Sequence, residues 1–546
     1  MKRILPIGIQ DFVDIRERGF VYVDKTARIH QLITGSGKPF FLSRPRRFGK
    51  SLLCSTLAAV FEGRRELFGE MAGRPALAIN SLDWEWKKHP VIRLDLNPGN
   101  YTKKGAETLN AMLSCQLRLE AEKLGLTLEG NNCAGQFTSL IRKSCEKAGE
   151  RAVVIIDEYD KPLLETMNDP ANHEETRGAL KGFYSVLKSS DAYLRFLFLT
   201  GVTKFSQVSV FSDLNHLIDL SLDPRSADIC GLTQEEVERD FEPEIEAVLE
   251  ETGRSRAEYM EKLRNYYDGY RFSRKPLKVY NPFGLLKHFD QCGEFLPYWY
   301  ESSAPTFLVN LITKQKINIT DLGDARVRYE DFHKYNVDGM KALPVLYQSG
   351  YLTISGYDED RERFTLDYPN MEVRSSFAKS LIRQYLHVSE DRSRALINRL
   401  PDALEDGEIE EAIEAIRQYM AGVPYDIIKE TENYYQTVVH LMFTMFGLSC
   451  RSEVRIAAGR IDAFVETRNF AYCFEFKLDG TADEALAQID AKEYLLPWSG
   501  GGKKLYKVGV NFDYEKRNIG EWKYTVDMGA RASRLRKATN DTTVTQ

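Results

Sequence analysis

Short apolar runs separated by amphipathic segments organise the first two hundred residues of the chain. Four of these runs predict buried strands: PFFLS (39–43), VIRLDL (91–96), VVII (153–156) and FLFLT (196–200). A helix from Lys50 to about Phe61 follows the first strand, and a helix with leucines along one face follows the second. Apolar strands flanked by helices predict a parallel sheet covered on both sides, which is an α/β domain.

The strand pattern fades after Thr233, where the middle of the chain begins. Thr233 and Glu236 have the spacing of a capping box, which predicts the start of a helix. A mostly helical region is expected to continue to about residue 332. A helix ending near Gly350, two strands over 351–354 and 364–369, and a further helix then give the outline of a winged-helix unit.

The C-terminal part alternates again between helix and strand. Residues 431–446 predict a helix, and strands are expected near Val454 and over 461–465, 472–477 and 508–510. A helix between Asp483 and Leu495 interrupts these strands. The pattern predicts a second α/β domain.

Length and composition restrict the class of protein. A chain of 546 residues is too long to fold around a single hydrophobic core, so several domains are expected. The net charge of -6 does not indicate a nucleic-acid binder, although a local basic groove remains compatible with it. Eight scattered cysteines without a C-x-x-C pair argue against a thiolate zinc site and fit a cytoplasmic location. No signal peptide and no run of eighteen apolar residues is visible, so no membrane association is expected.

A phosphate-binding motif follows the first strand, where Gly49, Lys50 and Ser51 stand at the start of a helix. N–H groups at a helix N-terminus bind phosphate oxygens, the lysine reaches the β- and γ-phosphates, and the serine hydroxyl ligates magnesium. The usual pattern has a leading glycine at the position that Arg44 occupies. The alternative is a charged helix start after a buried strand.

A pair of carboxylates follows the third strand, in VVIIDEYDKP. In P-loop ATPases such an aspartate completes the magnesium shell and the glutamate polarises the attacking water, which predicts these roles for Asp157 and Glu158. The alternative is a simple strand end. Thr200, at the end of the fourth strand, is predicted to sense the γ-phosphate, and its alternative is a solvated strand end.

The C-terminal part contains Asp462 in one predicted strand and Glu475 and Lys477 in the next. Alternation along a strand places Glu475 and Lys477 on one face. Two carboxylates on neighbouring strands form an oxygen site for Mg²⁺ or Mn²⁺, and the lysine can orient water or stabilise a scissile phosphate. This is the D…E-x-K pattern of PD-(D/E)XK nucleases. Charged residues flanking strands are the alternative.

Further residues support the C-terminal pattern. Glu432, in the opening turn of a helix, is a candidate ligand of the metal or its waters. Gln488, on the helix after the E-x-K strand, is expected to brace the lysine or the substrate, and Tyr494 is a weaker candidate.

Several motifs together resemble the AAA-ATPase-like family of bacterial and archaeal proteins, whose members often carry a PD-(D/E)XK nuclease domain at the C-terminus. They are FVYVDKT (20–26), SRPRRFGKSLL (43–53), DEYDKP (157–162), LTGVTKFSQVSVFSDLN (199–215), YDGYRF (267–272) and VYNPFG (279–284). The arginine-rich loop without a leading glycine is that family's form. The resemblance implies ATP binding by the loop residues Arg46, Arg47, Phe48, Gly49, Lys50 and Ser51 with Asp157. It leaves open whether Arg46, Arg47 or Arg271 is an arginine finger or sensor, and a solvated or structural role is the alternative for each.

We therefore expect an α/β multidomain protein. The predicted parts are a P-loop, AAA-like ATPase core (1–232), a helical lid (233–332), a winged-helix unit (333–388), a helical linker (389–424), a restriction-endonuclease-like domain (425–530) and a basic, polar tail (531–546).

The function expected from these parts is an ATPase coupled to a metal-dependent nuclease. ATP and Mg²⁺ are the expected cofactors, with Mn²⁺ possible at the nuclease site, and DNA is favoured over RNA as the partner. Two alternatives stay open: a nucleotide-switched scaffold whose nuclease fold binds without cutting, and an ATPase interaction module with a degenerate C-terminal domain. The sequence does not indicate the oligomeric state.

Overall fold

The computed structural model describes most of the chain. The described backbone covers residues 3–204, 217–301, 308–309, 311–312, 315, 317, 322–323, 325–332, 341–386, 399–421, 432–445, 449–456, 459–499 and 502–527. The side chains of 382–386, 432–434, 436, 445, 449–456, 459–460 and 527 lie outside this description. The chain forms two compact units: Met1–Ala304 with Asp324–Asn370, and Pro305–Gly323 with Met371–Gln546.

A five-stranded parallel sheet forms the centre of the first unit. Its strands are β1 (Pro39–Ser43), β2 (Val91–Asp95), β3 (Ala152–Asp157), β4 (Leu194–Gly201) and β5 (Ile218–Asp219), in the order β2-β3-β4-β1-β5. Every residue of β1 and β3 is buried, because helices cover both faces of the sheet. The four predicted strands are confirmed. The two-residue strand β5 is too short to give a sequence pattern.

Helices surround this sheet and continue beyond it. They are α1 (Phe12–Glu17), α2 (Thr26–Thr34), α3 (Lys50–Phe61), α4 (Gly105–Lys123), α5 (Cys133–Ala148), α6 (Lys161–Thr166), α7 (Pro170–Ser189), α8 (Gln234–Asp240), α9 (Glu242–Thr252), α10 (Arg256–Tyr267), α11 (Pro282–Asp290) and α12 (Tyr298–Glu301). Leu109, Leu113 and Leu117 of α4 are buried against the sheet. The predicted capping box is confirmed, because Thr233 and Glu236 each bind the other's backbone N–H.

A small antiparallel sheet completes the first unit. It consists of β6 (Ala325–Arg328), β7 (Thr353–Asp358) and β8 (Arg363–Asp367) in the order β6-β8-β7, with helix α13 (Ala342–Gln348) preceding β7. Strand β6 was not predicted from the sequence, because ARVR is short and alternates buried with exposed residues. The first unit ends at Asn370, inside the range 333–388 whose assignment as a winged-helix unit stays a prediction.

The second unit contains a mixed five-stranded sheet. Its strands are β9 (Ser449–Ile456), β10 (Gly459–Glu466), β11 (Phe470–Leu478), β12 (Lys504–Asp513) and β13 (Asn518–Asp527), in the order β13-β12-β11-β10-β9. Strands β11 and β12 are parallel, and the other pairs are antiparallel. Strand β13 is an edge strand with largely exposed side chains, and the apolar pattern in the sequence did not predict it.

The helices of the second unit are α14 (Met371–Leu386), α15 (Arg399–Asp406), α16 (Ile409–Met420), α17 (Glu432–Met445) and α18 (Ala482–Ala491). The prediction that the last helix reaches Leu495 is wrong. Helix α18 ends four residues earlier because Glu493 adopts a left-handed φ of 48°, and a short 3₁₀ turn follows.

Candidate functional site

The predicted phosphate-binding loop connects β1 to α3 in the first unit. Helix α3 begins at Lys50, and Gly49 precedes it with φ 87°, a conformation that glycine adopts without strain. Arg47 also has a positive φ of 64°. This turn leaves the first N–H groups of a twelve-residue helix without partners inside the helix, which is the arrangement that binds anions.

Arg44 occupies the place of the usual leading glycine and anchors the base of the loop. Its guanidinium is buried, and it donates to the carbonyl oxygens of Ser43 (2.8 Å), Ser221 (2.9 Å) and Ser226 (2.9 Å). It also lies over the ring of Phe272, 4.2 Å from its centroid. Burial lowers the pKa of Arg44. The arginine therefore has a structural role, joining β1 to the segment after β5.

Two residues far along the chain fix the backbone of the loop. The indole N–H of Trp299 donates to the carbonyl oxygen of Arg46 at 2.9 Å, and the amide of Asn281 donates to that of Arg47 at 3.4 Å. The Phe48 side chain is buried between Tyr270 and Phe272. Phe48 thus holds the loop through packing, and its ring does not line the cavity described below. Trp299 and Asn281 were not predicted as site residues.

The acidic pair at the end of β3 lies beside the start of α3, although β4 separates β3 from β1 in the sheet. The Ser51 side chain lies beside the Asp157 carboxylate and lowers its pKa as a hydrogen-bonding neighbour. The ammonium of Lys50 lies 3.5 Å from Oε1 of Glu158 and donates to the carbonyl oxygens of Arg44 (3.1 Å) and Pro45 (3.2 Å). The structure therefore brings Lys50, Ser51, Asp157 and Glu158 together.

Electrostatics in this pocket favour a bound cation. Burial, and after it the negative charge of Glu158, raise the pKa of Asp157 to about 6 against the opposing effects of Ser51 and Lys50. Glu158 has a left-handed φ of 49°, and its N–H donates to Oδ1 of Asp157 at 2.9 Å. A buried carboxylate beside a hydroxyl supplies the oxygen ligands that Mg²⁺ prefers. The donor set fits magnesium.

Lys50, Ser51 and Glu158 line one end of a cavity of about 440 Å³, and the buried Asp157 lies behind them. A cavity of this size is within the range that holds a small-molecule ligand. Its walls are formed by the loop and helix start, by the ends of β2 and β3, by α6, by α11 and by residues 6 and 8–10. They include Asp95, Asn97, Lys161, Glu165, Phe283 and Leu286. Burial raises the pKa of Asp95, and the charge of Glu158 adds to this effect.

Thr200 is a predicted site residue that the structure does not bring to the cavity. Its side chain is buried, and its hydroxyl donates to the carbonyl oxygen of Leu42 at 2.8 Å, within the sheet. The carboxylate that organises this end of β4 is Asp160, which accepts hydrogen bonds from the N–H of Val202 (3.1 Å) and from both the N–H and the hydroxyl of Thr203 (2.6 Å each).

Arg271 does not reach the cavity either. Its side chain is buried, and its guanidinium donates to the carbonyl oxygens of Ser273 (2.9 Å), Lys275 (2.8 Å) and Arg274. The sequence left open whether Arg271 is an arginine finger or sensor or has a structural role. Its contacts with backbone carbonyl oxygens give Arg271 the structural role.

The predicted carboxylate and lysine pattern is assembled on the mixed sheet of the second unit. The antiparallel register of β10 and β11 pairs Ala463 with Phe474, so the next position brings Asp462 opposite Glu475. The Asp462 carboxylate accepts a hydrogen bond from the backbone N–H of Phe476 at 2.9 Å. The two acidic side chains therefore converge on one face of the sheet.

Helix α18 brings Gln488 to the same face. Lys477 donates to Oε1 of Gln488 at 2.8 Å and lies 3.4 Å from Oε1 of Glu475. The amide nitrogen of Gln488 donates to Glu475 and, at 3.5 Å, to the hydroxyl of Tyr494. Glu475, Lys477 and Gln488 therefore form one connected group, and Asp462 lies opposite Glu475 on the neighbouring strand.

Close packing of α18 on β12 positions this glutamine. A Cβ atom at Gly509 would lie 2.4 Å from the carbonyl oxygen of Ala482 and 3.1 Å from the Cβ of Ala485. Thr481 and Glu484 cap the helix reciprocally, because the side chain of each accepts a hydrogen bond from the backbone N–H of the other. The glycine on the strand thus lets the helix approach, and the cap fixes where it begins.

The chemistry of this group fits a hard divalent cation. Asp462 and Glu475 offer carboxylate oxygens, and Lys477 balances their charge. Among the described residues, no group of three or more histidine, cysteine, aspartate or glutamate side chains gathers for metal binding. Glu432 begins α17, but its side chain lies outside the described residues, so its role as a ligand stays a prediction.

Both groups of residues lie within parts of the chain that match known protein families. Residues 6–211 match the family model described as Predicted AAA-ATPase, and residues 430–522 match the PD-(D/E)XK nuclease superfamily. A protein from Azotobacter chroococcum mcd 1, described as "Uncharacterized protein in vnfD 5'region", is 36% identical over 529 residues, which cover 95% of this chain and 98% of that relative. The chain belongs to the AAA-ATPase-like family.

This AAA-ATPase-like protein also carries a C-terminal PD-(D/E)XK nuclease superfamily domain. The predicted resemblance and the predicted α/β multidomain fold are both confirmed. In the described part of the chain, helices with the length and apolar character needed to cross a membrane are absent.

Proposed function

We propose that this AAA-ATPase-like protein binds and hydrolyses ATP in the cavity of its first unit. The observation that carries this proposal is the convergence of four residues, Lys50 and Ser51 at the start of α3 with Asp157 and Glu158 at the end of β3. Ser51 and Asp157 would hold Mg²⁺, which would offset charge on the phosphates. Lys50 would bind the β- and γ-phosphates, and Glu158 would accept the proton of the attacking water.

We further propose that the second unit hydrolyses a phosphodiester bond of nucleic acid, with DNA favoured over RNA. Asp462 and Glu475 would bind Mg²⁺ or Mn²⁺, which would supply a Lewis acid and lower the pKa of a bound water. Lys477 would orient that water and stabilise negative charge on the scissile phosphate. Gln488 would hold Lys477 and Glu475 in position, which is supported by its hydrogen bonds to both.

Together, the two proposed activities describe an ATP-regulated nuclease. This is the function that the geometry of the two sites supports best. The complete set of Asp462, Glu475, Lys477 and Gln488 favours cleavage over binding without cleavage, because a degenerate site would have lost one of its members.

Two paired measurements test the proposal. ATP binding and hydrolysis are measured with Mg²⁺ for the full chain and for Lys50→Ala, which we expect to lose most of both. Labelled DNA and RNA are incubated with Mg²⁺ or Mn²⁺, with and without ATP, and we expect Lys477→Ala to leave the DNA intact. Wild-type ATP affinity in Lys50→Ala would refute the first part. Wild-type cutting by Lys477→Ala would refute the second, and binding of nucleic acid without cleavage by the wild-type chain would favour a scaffold.

A further inference from the structure

Four cationic side chains line the nucleotide cavity, those of Arg46, Arg47, Lys50 and Lys161. The two lysines each lie close to a carboxylate, and among the described residues the two arginines do not. Lys50 lies 3.5 Å from Glu158, and Lys161 lies 3.5 Å from Glu165. The side chains of Arg46 and Arg47 are exposed to the cavity, and neither forms an ion pair in the described part of the chain. Their positive charges are therefore available to an anionic ligand.

The structure constrains these two arginines without neutralising them. Arg47 has a left-handed φ of 64°, and its guanidinium lies 4.8 Å from the ring centroid of Phe283. The carbonyl oxygens of Arg46 and Arg47 are held by Trp299 and Asn281. A left-handed backbone costs a non-glycine residue about 1–3 kcal/mol. Stacking on an aromatic ring fixes the direction of a guanidinium and leaves its N–H donors free to bind phosphate.

The other arginines close to the loop are excluded from this role by their contacts. Arg44 donates to three backbone carbonyl oxygens in the base of the loop, and Arg271 donates to carbonyl oxygens of the segment that follows it. Both guanidinium groups are buried and already bonded.

We propose that Arg47, with Arg46 beside it, acts in cis as the arginine that stabilises the transferring phosphoryl group of ATP. This inference rests on the proposed ATPase function and adds that the site needs no arginine from a second copy of the chain. In the reaction, the water oxygen bonds to the γ-phosphorus, the bond from that phosphorus to the β–γ bridging oxygen breaks, and the proton passes to Glu158. ADP leaves with the electron pair, and the Arg47 guanidinium neutralises the charge that develops on the phosphoryl and bridging oxygens.

The cation–π contact gives Phe283 a positioning role. Replacing Phe283 by leucine keeps an apolar side chain in the wall of the cavity but removes the ring under the guanidinium. This variant should lower kcat while leaving the affinity for ATP close to that of the wild-type chain. A purely structural role of Phe283 would not produce this separation of kcat from binding.

The test measures ATP affinity and kcat of the full chain over a wide range of protein concentrations. We expect turnover per chain to be independent of concentration, and Arg47→Ala to lower kcat about 100–1,000-fold while Kd changes less than about tenfold. Arg47→Lys should recover part of the rate, because it restores the charge but not the planar fork. The matched control is Arg225→Ala, an exposed arginine paired with Asp223 outside the cavity, which should retain wild-type values.

Three results would overturn the inference. The first is an Arg47→Ala variant with wild-type kcat and wild-type affinity for ATP. The second is an Arg47→Ala variant that binds ATP more weakly but keeps the wild-type kcat. The third is a turnover per chain that rises with protein concentration. A wild-type chain that does not bind ATP would refute the proposed function itself, and the inference with it. A chain that hydrolyses ATP normally without Arg47 would refute the inference alone.

Discussion

The ammonium group of Lys477 donates a 2.8 Å hydrogen bond to Oε1 of Gln488, across the gap between strand β11 and helix α18. The nitrogen of the same amide donates to Glu475, so one side chain orients both a cation and a carboxylate of the proposed nuclease site. Because an amide presents a donor and an acceptor on opposite sides, it satisfies both neighbours at once. The arrangement assigns Gln488 to positioning.

Replacing Gln488 by leucine should therefore impair cleavage without removing a metal ligand. Leucine has a similar volume but cannot bind Lys477 or Glu475, so both side chains lose their fixed orientation. We expect a fall of about 10–100-fold in the cleavage rate, measured with end-labelled DNA and saturating Mg²⁺. The control is Gln418→Leu on α16, where Gln418 contacts Glu414. Equal rates for Gln488→Leu and the wild-type chain would contradict the role of this glutamine.

Gly509 should tolerate no side chain. A Cβ atom there would lie 2.4 Å from the carbonyl oxygen of Ala482, so Gly509→Ala must displace α18 and with it Gln488. We expect a loss of about 1–3 kcal/mol in the free energy of unfolding, measured by urea titration, together with reduced cleavage. Gly182→Ala on α7 is the control, since nothing lies within 4 Å of the added atom. It should be neutral or stabilising, and an equally neutral Gly509→Ala would show that α18 packs less closely.

Local sequence signals predicted the elements that carry both sites. Strand β1 and helix α3 have the predicted bounds because a five-residue apolar run ends at the loop and Gly49 starts the helix. Alternation along β11 correctly places Glu475 and Lys477 on one face, since a strand repeats every two residues. The resemblance to a known family added the identity of the ATPase core and the nuclease-type domain.

Contacts between distant segments could not be predicted in this way. Trp299 and Asn281 reach the loop from more than two hundred positions away, and no local pattern marks them. Thr200 lies at the predicted strand end, but the sequence does not reveal that its hydroxyl bonds within the sheet. The end of α18 depends on the backbone conformation of Glu493, which amphipathic periodicity does not encode.

The acid sensitivity of the first unit should depend on His288. Burial lowers the pKa of His288 to about 4, and its ring nitrogens contact the hydroxyl of Tyr259 (2.9 Å) and the carbonyl oxygen of Glu294 (2.9 Å). Between pH 6.5 and 4 the unfolded chain binds a proton that the folded chain does not. This histidine should therefore remove about 3 kcal/mol of stability as the pH falls through that range, and none above it.

The variant His288→Gln isolates this contribution, because it keeps polar atoms but does not titrate. Its free energy of unfolding should be lower than that of the wild-type chain at pH 7.5, and the difference should shrink as the pH falls to 4. Chemical denaturation at a series of pH values gives the comparison. A difference that is constant with pH would mean that His288 has the same pKa in the folded and unfolded states.

The rate of DNA cleavage with and without ATP, compared among the wild-type chain, Lys50→Ala and Lys477→Ala, tests the central claim most directly. The account predicts that ATP changes the wild-type rate with Mg²⁺ present, that Lys50→Ala cleaves at the rate of the ATP-free chain under both conditions, and that Lys477→Ala does not cleave. Cleavage by Lys477→Ala at the wild-type rate, or a response to ATP that survives in Lys50→Ala, would contradict it.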